Sequence, residues 1–281
     1  MDLHPVHIAG QSYGKSYRRA MKDIKSKSFL NGSVYALHTE DDFPVEVTDT
    51  FLPFYTKDAV GRKQNKLDTE GIGDRSERWM IGVSCMSGCP VRCKFCATGK
   101  LKNWRSLSAG EIVEQIDFIL SKNPEYDFSK AKEHKINYTR MGEPFLNINA
   151  VREAISIIDK RFPGTHHYVS TIGVTGSDFS WIKENITLQI SVHSLCEEKR
   201  KWLIPYNNKL TYKELGDIRT GSQNKTTINM TLVDESDFDI QALQRFFDPK
   251  HFFVKLSPIN PNECSELHGM GTGVIQGNNI L

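Results

Sequence analysis

Three cysteines, Cys89, Cys93 and Cys96, stand in the spacing C-x3-C-x2-C directly after a short apolar run. The chain has 6 cysteines in 281 residues, and four of them fall between positions 85 and 96. So sparse a total excludes a disulfide scaffold, and such crowding asks for a loop wrapped around a metal centre. A structural zinc site closes with four protein ligands, and a ferredoxin gives four thiolates to its cluster. Three thiolates leave one position open. On a [4Fe-4S] cluster the open iron can hold a ligand that takes part in chemistry. Cys85 is the candidate fourth ligand, and zinc or an ordinary four-thiolate cluster stands as the alternative.

The rest of the chain decides what surrounds that loop. With 38% hydrophobic residues it can fill a core of one large α/β domain. Net charge is +2, but residues 11–28 hold Lys15, Arg18, Arg19, Lys22, Lys25 and Lys27 against Asp23 alone, a local +5 that leaves −3 elsewhere. This basic arm reads either as a phosphate-neutralising segment or as a solvated helix face. Residues 34–37 and 45–52 read as short strands about the acidic turn Glu40-Asp41-Asp42, a small β extension. Residues 61–78 are polar and read as a long loop. The expected division is therefore 1–78 for arm, extension and loop, and 79–281 for a core.

In that core, short β-rich runs alternate with helical stretches, as in a parallel sheet with crossover helices. Strands are expected at 79–84, 135–139, 168–171, 188–192, 227–232 and 252–256. A helix should start after Ser108, where Ser108 and Glu111 form a capping box ahead of Ile112, Ile116 and Ile119; a second is expected over 150–161. Ligands of such folds sit at the carboxyl ends of the strands, and the cysteine loop follows the first. The N-terminus shows no signal-like apolar stretch, and no run nears the roughly 18 apolar residues of a membrane span. A cytoplasmic protein without membrane contact is expected.

The cysteine loop, with Phe95 before its last cysteine, Gly99 after it and a capped helix beyond, resembles the radical S-adenosylmethionine (SAM) superfamily. The resemblance implies an α/β fold, a partial (βα)6 radical SAM barrel carrying the small N-terminal β extension. It implies a [4Fe-4S] cluster on Cys89, Cys93 and Cys96, with SAM on the open iron. In that superfamily an electron from the cluster cleaves SAM into methionine and a 5′-deoxyadenosyl radical that abstracts hydrogen. Closer still, GCPVRCKFCATGK, MGEPFLN (141–147), STIG (170–173), ISVHS (190–194), IPYNNK (204–209) and SPINP (257–261) resemble the RlmN/Cfr branch, whose members methylate adenine carbons in RNA. By this resemblance Gly142, Glu143, Ser170, Ser191, Val192, His193 and Asn260 are the SAM contacts, and Glu46 matches a carboxylate assigned to proton abstraction. The implied partners are an RNA or nucleotide substrate and an electron donor such as a flavodoxin or ferredoxin.

Methyl transfer in that branch uses two further cysteines. One lies near the C-terminus and the other seven residues before the first cluster cysteine. The second position is Gly82 here, and 281 residues end before the segment that carries the first. Cys85, Cys196 and Cys264 are the candidate substitutes, with Cys85 the nearest to the cluster as a resolving thiol. Three readings follow: an RNA-methylating radical SAM enzyme, one that abstracts hydrogen directly from a nucleotide or other substrate, and an iron–sulfur binding module without turnover.

Overall fold

The computed structural model describes residues 21–54, 56–57, 63–64, 72–233, 237–271, 275–276 and 279–280. One sheet holds nine strands in strict chain order: β1 (Lys22–Phe29), β2 (Gly32–His38), β3 (Pro44–Leu52), β4 (Arg78–Val83), β5 (Glu133–Tyr138), β6 (His166–Thr171), β7 (Ile186–Ser191), β8 (Thr226–Thr231) and β9 (Phe252–Ser257). Neighbours from β1 to β4 are antiparallel. Those from β4 to β9 are all parallel. A parallel sheet that grows in one direction with right-handed crossovers keeps its helices on one side and curls around the other. The six parallel strands thus form a partial barrel, and the first three strands extend it as a meander.

Local sequence explains the helices. Ser108 Oγ accepts from the Glu111 N–H and the Glu111 carboxylate accepts from the Ser108 N–H, which closes the capping box of α1 (Ala109–Lys122). Ile112, Ile116 and Ile119 then recur on one buried face. Helix α2 (Ile148–Arg161) buries Val151, Ala154, Ile155 and Ile158 in the same way. Shorter helices α3 (Glu197–Leu203), α4 (Tyr212–Gly216), α5 (Ile240–Phe246) and α6 (Glu263–Leu267) follow β7, β8 and β9. The third crossover, residues 172–185, contains no helix and turns instead through bends that bury Phe179 and Ile182. Here the alternation of strand and helix expected from the sequence is broken.

The core lies between the helices and the outward side chains of the strands, including Trp79, Ile81, Val83, Ile136, Val169, Leu188, Ile190, Ile228 and Met230. Alternate residues point inward and are mostly polar, so each strand presents an apolar face to the helices and a polar one to the barrel interior. Asp49 joins the extension to the barrel: its buried carboxylate accepts from Trp79 Nε1 at 2.8 Å, from Asn123 Nδ2 at 3.1 Å and from Arg75 Nε at 3.1 Å.

One expectation needs revision. Residues 22–29 of the basic arm form an exposed strand, not a helix face. Lys15, Arg18 and Arg19 lie outside the described residues, as does half of the 61–78 loop. Thr56–Lys57 pairs antiparallel with Lys63–Gln64 in a separate short ladder.

Candidate active site and cluster loop

The cysteine loop leaves the end of β4 through Ser84, and several elements hold that exit. Gln115 on α1 accepts from the Ser84 N–H at 2.8 Å and donates to its carbonyl at 2.9 Å. Ser84 Oγ donates to the Glu46 carbonyl at 2.7 Å, and Asn147 donates to the carbonyls of Cys85 and Leu107. A short ladder between Met86–Ser87 and Arg105–Ser106 clasps the loop. Gly88 sits at φ 70 within it, and Arg92, with a full side chain, is at φ 55. Non-glycine residues rarely adopt that region, so surrounding contacts must hold Arg92 there. Among them, Lys94 N–H donates to the Leu203 carbonyl and Asn262 donates to the Phe95 carbonyl.

All six cysteines are free thiols. Burial pushes the Cys89 thiol up to about 12 and the Cys93 thiol well above its usual range, and Cys96 adds to both rises. Thiols in such a place ionise only beside a strong positive charge, which a metal centre supplies. No three His, Cys, Asp or Glu side chains among the described residues are grouped to hold a single metal ion. The three thiols nevertheless lie close enough to perturb one another, as donors to one centre must.

Beside the loop, the inner faces of the strands line a cavity of about 680 Å³. It brings together Glu46, Cys96, Ser170, Ser191, His193 and Asn260 of the residues singled out from the sequence. Ser170 and Ser191 stand on β6 and β7, whereas His193 and Asn260 follow β7 and β9. His193 is held in a definite state. Its φ is 62, its ring meets the Phe95 ring edge-on at 4.7 Å, and Nδ1 accepts from the Thr231 N–H at 3.2 Å. Burial, with nearby Arg200 adding to it, lowers its pKa to about 4. The ring is therefore neutral near pH 7, with its proton on Nε2.

Gly142, Glu143 and Val192 do not line this cavity and sit behind its wall. Gly142 is at φ 103, and a Cβ there would lie 2.6 Å from the Met86 side chain, so only glycine lets this turn approach the cysteine loop. The buried Glu143 carboxylate accepts from the Phe145 N–H at 3.1 Å and the Ile172 N–H at 2.9 Å. Burial raises its pKa to about 7 despite these donors.

The spare cysteines lie away from the cavity lining. Cys85 is buried, its thiol directed at the Met141 carbonyl at 3.5 Å, and burial raises its pKa well above the usual range. A thiol so placed is a poor nucleophile while it stays protonated. Cys264 is buried on α6 and Cys196 is exposed before α3.

Sequence reasoning passed over several site residues. Arg140 forms an ion pair with Glu46 in the cavity wall. Arg200 is buried, with Nη1 on the Leu210 carbonyl at 2.8 Å and Nη2 on the Ile172 carbonyl at 3.2 Å, so it fastens the crossover that also holds Glu143. Lys135, Gln189, Asn229, Thr231 and Lys255 line the interior as well. The period-2 polar positions in T-T-I-N-M-T of β8 were a signal for two of them. Asn229 Oδ1 is buried without a hydrogen-bond partner among the described residues, an acceptor left over in the cavity wall.

Comparison with known proteins follows the same residues. A family model described as the radical SAM superfamily matches residues 83–247. A probable dual-specificity RNA methyltransferase RlmN of Pseudothermotoga lettingae is 37% identical over 191 residues, which cover 63% of this chain and 54% of that protein. The protein of the same description from Thermosipho melanesiensis is 33% identical over 192 residues, covering 64% and 55%. The chain thus spans about half the length of these curated relatives. A crystal structure of a radical SAM methyltransferase from Sphaerobacter thermophilus has the same fold, with a TM-score of 0.62 at 23% identity over 86% of this chain and 67% of that one.

Proposed function

This chain belongs to the radical SAM superfamily, and from that premise we propose that it cleaves SAM reductively and acts on RNA, as its likeness to RlmN-type RNA methyltransferases suggests, and on an adenine there, as the resemblance of its motifs implies. The observation that carries this reading is the single cavity shared by Cys96 of the cysteine loop and the strand-end residues Ser170, Ser191, His193 and Asn260. Members of the superfamily use a [4Fe-4S] cluster and SAM, which when bound supply one-electron chemistry that ends in hydrogen-atom abstraction.

Cys89, Cys93 and Cys96 hold the cluster. By resemblance the turn at Gly142 and Glu143, although it lies behind the cavity wall, would take the SAM ammonium group, and Ser170 and Ser191 on the lining would hydrogen-bond its carboxylate or ribose. His193 presents a neutral Nε2–H donor, and Asn260 reads the adenine or ribose edge, with Val192 fixing the backbone between Ser191 and His193. Glu46 faces the substrate from the cavity wall, where it is paired with Arg140. Cys85, held against Met141, serves packing. Reducing equivalents come from a flavodoxin or ferredoxin in the cytoplasm. No helix among the described residues is long and apolar enough to cross a membrane.

A second reading, hydrogen abstraction without methyl transfer, is favoured by one observation. A Cβ on Gly82 would lie 2.3 Å from Thr48 Oγ1 and 3.1 Å from Arg140 Cδ, so the space beside this position is already filled. Anaerobically reconstituted protein given methyl-labelled SAM, a reductant and RNA separates the two. Methylation predicts 5′-deoxyadenosine, S-adenosylhomocysteine and labelled RNA together. Direct abstraction predicts 5′-deoxyadenosine alone, and absence of all three products contradicts both.

A further inference from the structure

Strand β1 has all eight residues exposed, yet its side chains are sorted. Lys22 pairs with His38 and Asp23 with Leu37, then the register slips past Ile24, and Lys25 pairs with Ala36, Lys27 with Val34 and Phe29 with Gly32. A β-bulge of this kind exchanges the faces of the residues on either side of it. Lys22, Lys25, Lys27 and Phe29 therefore share one face. Asp23 goes to the other, where it pairs with Lys122 of α1 at 3.0 Å.

The lysine face is the one that becomes the barrel interior. One rung of the sheet runs Lys27, Val34, Thr48, Gly82 and Asn137, and another runs Phe29, Gly32, Thr50, Met80 and Lys135. Met80, Lys135 and Asn137 line the cavity. A third rung leads from Lys25 through Ala36 to Glu46 at the cavity wall. With strands about 4.8 Å apart, Lys25 lies roughly 10 Å outward from Glu46 and Lys27 roughly 19 Å outward from Asn137, the lining residues of their rungs. The floor between them is low, made by Gly32, Val34 and Ala36. Carboxylates nearby are engaged elsewhere: Glu46 with Arg140, Asp41 with Arg105 and Asp42 with His38.

We propose that this face of the β1–β3 meander is a docking shelf for single-stranded RNA, whose phosphates lie against Lys22, Lys25 and Lys27 and one of whose bases stacks on Phe29. Exposed cations interleaved with an exposed aromatic are the ordinary equipment of single-strand binding surfaces. Lys27 already lies over the Phe29 ring at 5.2 Å, so charge and ring address adjacent parts of one nucleotide. The shelf is continuous with the cavity, and an unpaired base can pass from it to Glu46 without the cost of opening a duplex. This inference rests on the RNA reading given above.

The test uses the full chain, reconstituted with its cluster, and a fluorescein-labelled single-stranded RNA of about twenty nucleotides followed by anisotropy across a salt series. For single strands each neutralised phosphate contributes about −0.7 to the log–log salt slope. Replacing Lys22, Lys25 and Lys27 together by Ala is expected to flatten that slope by about 2 and to weaken binding at least about tenfold at low salt. Phe29→Ala is expected to weaken binding by a factor that hardly depends on salt. Replacement of the exposed Lys201 and Lys250 by Ala serves as the control for general charge. RNA-independent release of 5′-deoxyadenosine is measured on the same samples. An unchanged slope in a triple variant that still cleaves SAM overturns the shelf and leaves the SAM reading standing. A flattened slope in protein that never cleaves SAM supports the shelf and overturns the reading beneath it.

Discussion

Glu143 and His193 are buried ionisable groups whose effects on stability run in opposite directions with pH. Glu143 has a folded pKa of about 7 against an ordinary 4.5, so the folded state holds its proton longer and stability falls as pH rises from about 4.5 to 7. His193 has a folded pKa of about 4 against 6.5, and its contribution is lost as pH falls through that interval. Each effect is worth about 3 kcal/mol, and the two largely cancel in the intact protein. Replacing Glu143 by Gln removes one side. Urea unfolding of the metal-free protein should therefore show the variant gaining about 3 kcal/mol relative to the parent between pH 4.5 and 7. A difference that stays constant with pH would contradict the assigned burial. Both residues were legible in the sequence because each sits in a motif with chemical content. Arg200 was not, because R in C-E-E-K-R-K-W reads as one more solvated charge until the fold surrounds it with carbonyl groups. Arg140 was missed for a similar reason, since its partner Glu46 is distant in sequence and adjacent only across the sheet.

Among the elements, the join between β3 and β4 combines a five-residue ladder with one buried carboxylate, Asp49. Asp49 gives its carboxylate to Trp79, Asn123 and Arg75, and its removal leaves a buried indole N–H without a partner. Asp49→Ala should cost about 3 kcal/mol, seen as a lower urea midpoint with unchanged m-value. A loss below about 1 kcal/mol would mean that packing alone joins the meander to the barrel. The six parallel strands and the first two helices were readable from their apolar period, to which a capping box adds at α1. Strand β1 escaped because K-D-I-K-S-K-S-F is exposed on both faces and carries a bulge, so no period-2 apolar pattern marks it. The helix-free third crossover shows the converse limit. G-V-T-G-S-D-F-S is rich in turn formers, and the sequence of strand spacings overrode that local signal.

At the scale of the molecule, the arrangement is a barrel whose outer wall is a hydrophobic core and whose inner wall is polar. Parallel strands buried on both faces are usually apolar throughout. Here β6 to β9 alternate, and their polar positions face a cavity large enough for a nucleoside-bearing ligand. Strand ends, cysteine loop and cavity thus meet on one side of the sheet, as the motif order suggested. The placement of the spare cysteines could not have been read from spacing, because burial of Cys85 depends on Met141 arriving from the next strand's loop. The most direct test of this account is anaerobic reconstitution followed by reduction with dithionite in the presence of SAM, in parallel for the parent and Cys93→Ala. The account predicts about four irons and four sulfides per chain in the parent, with release of 5′-deoxyadenosine and methionine, and loss of both cluster and products in the variant. A parent that binds the full complement of iron yet leaves SAM intact, or a variant that still cleaves it, would contradict the account.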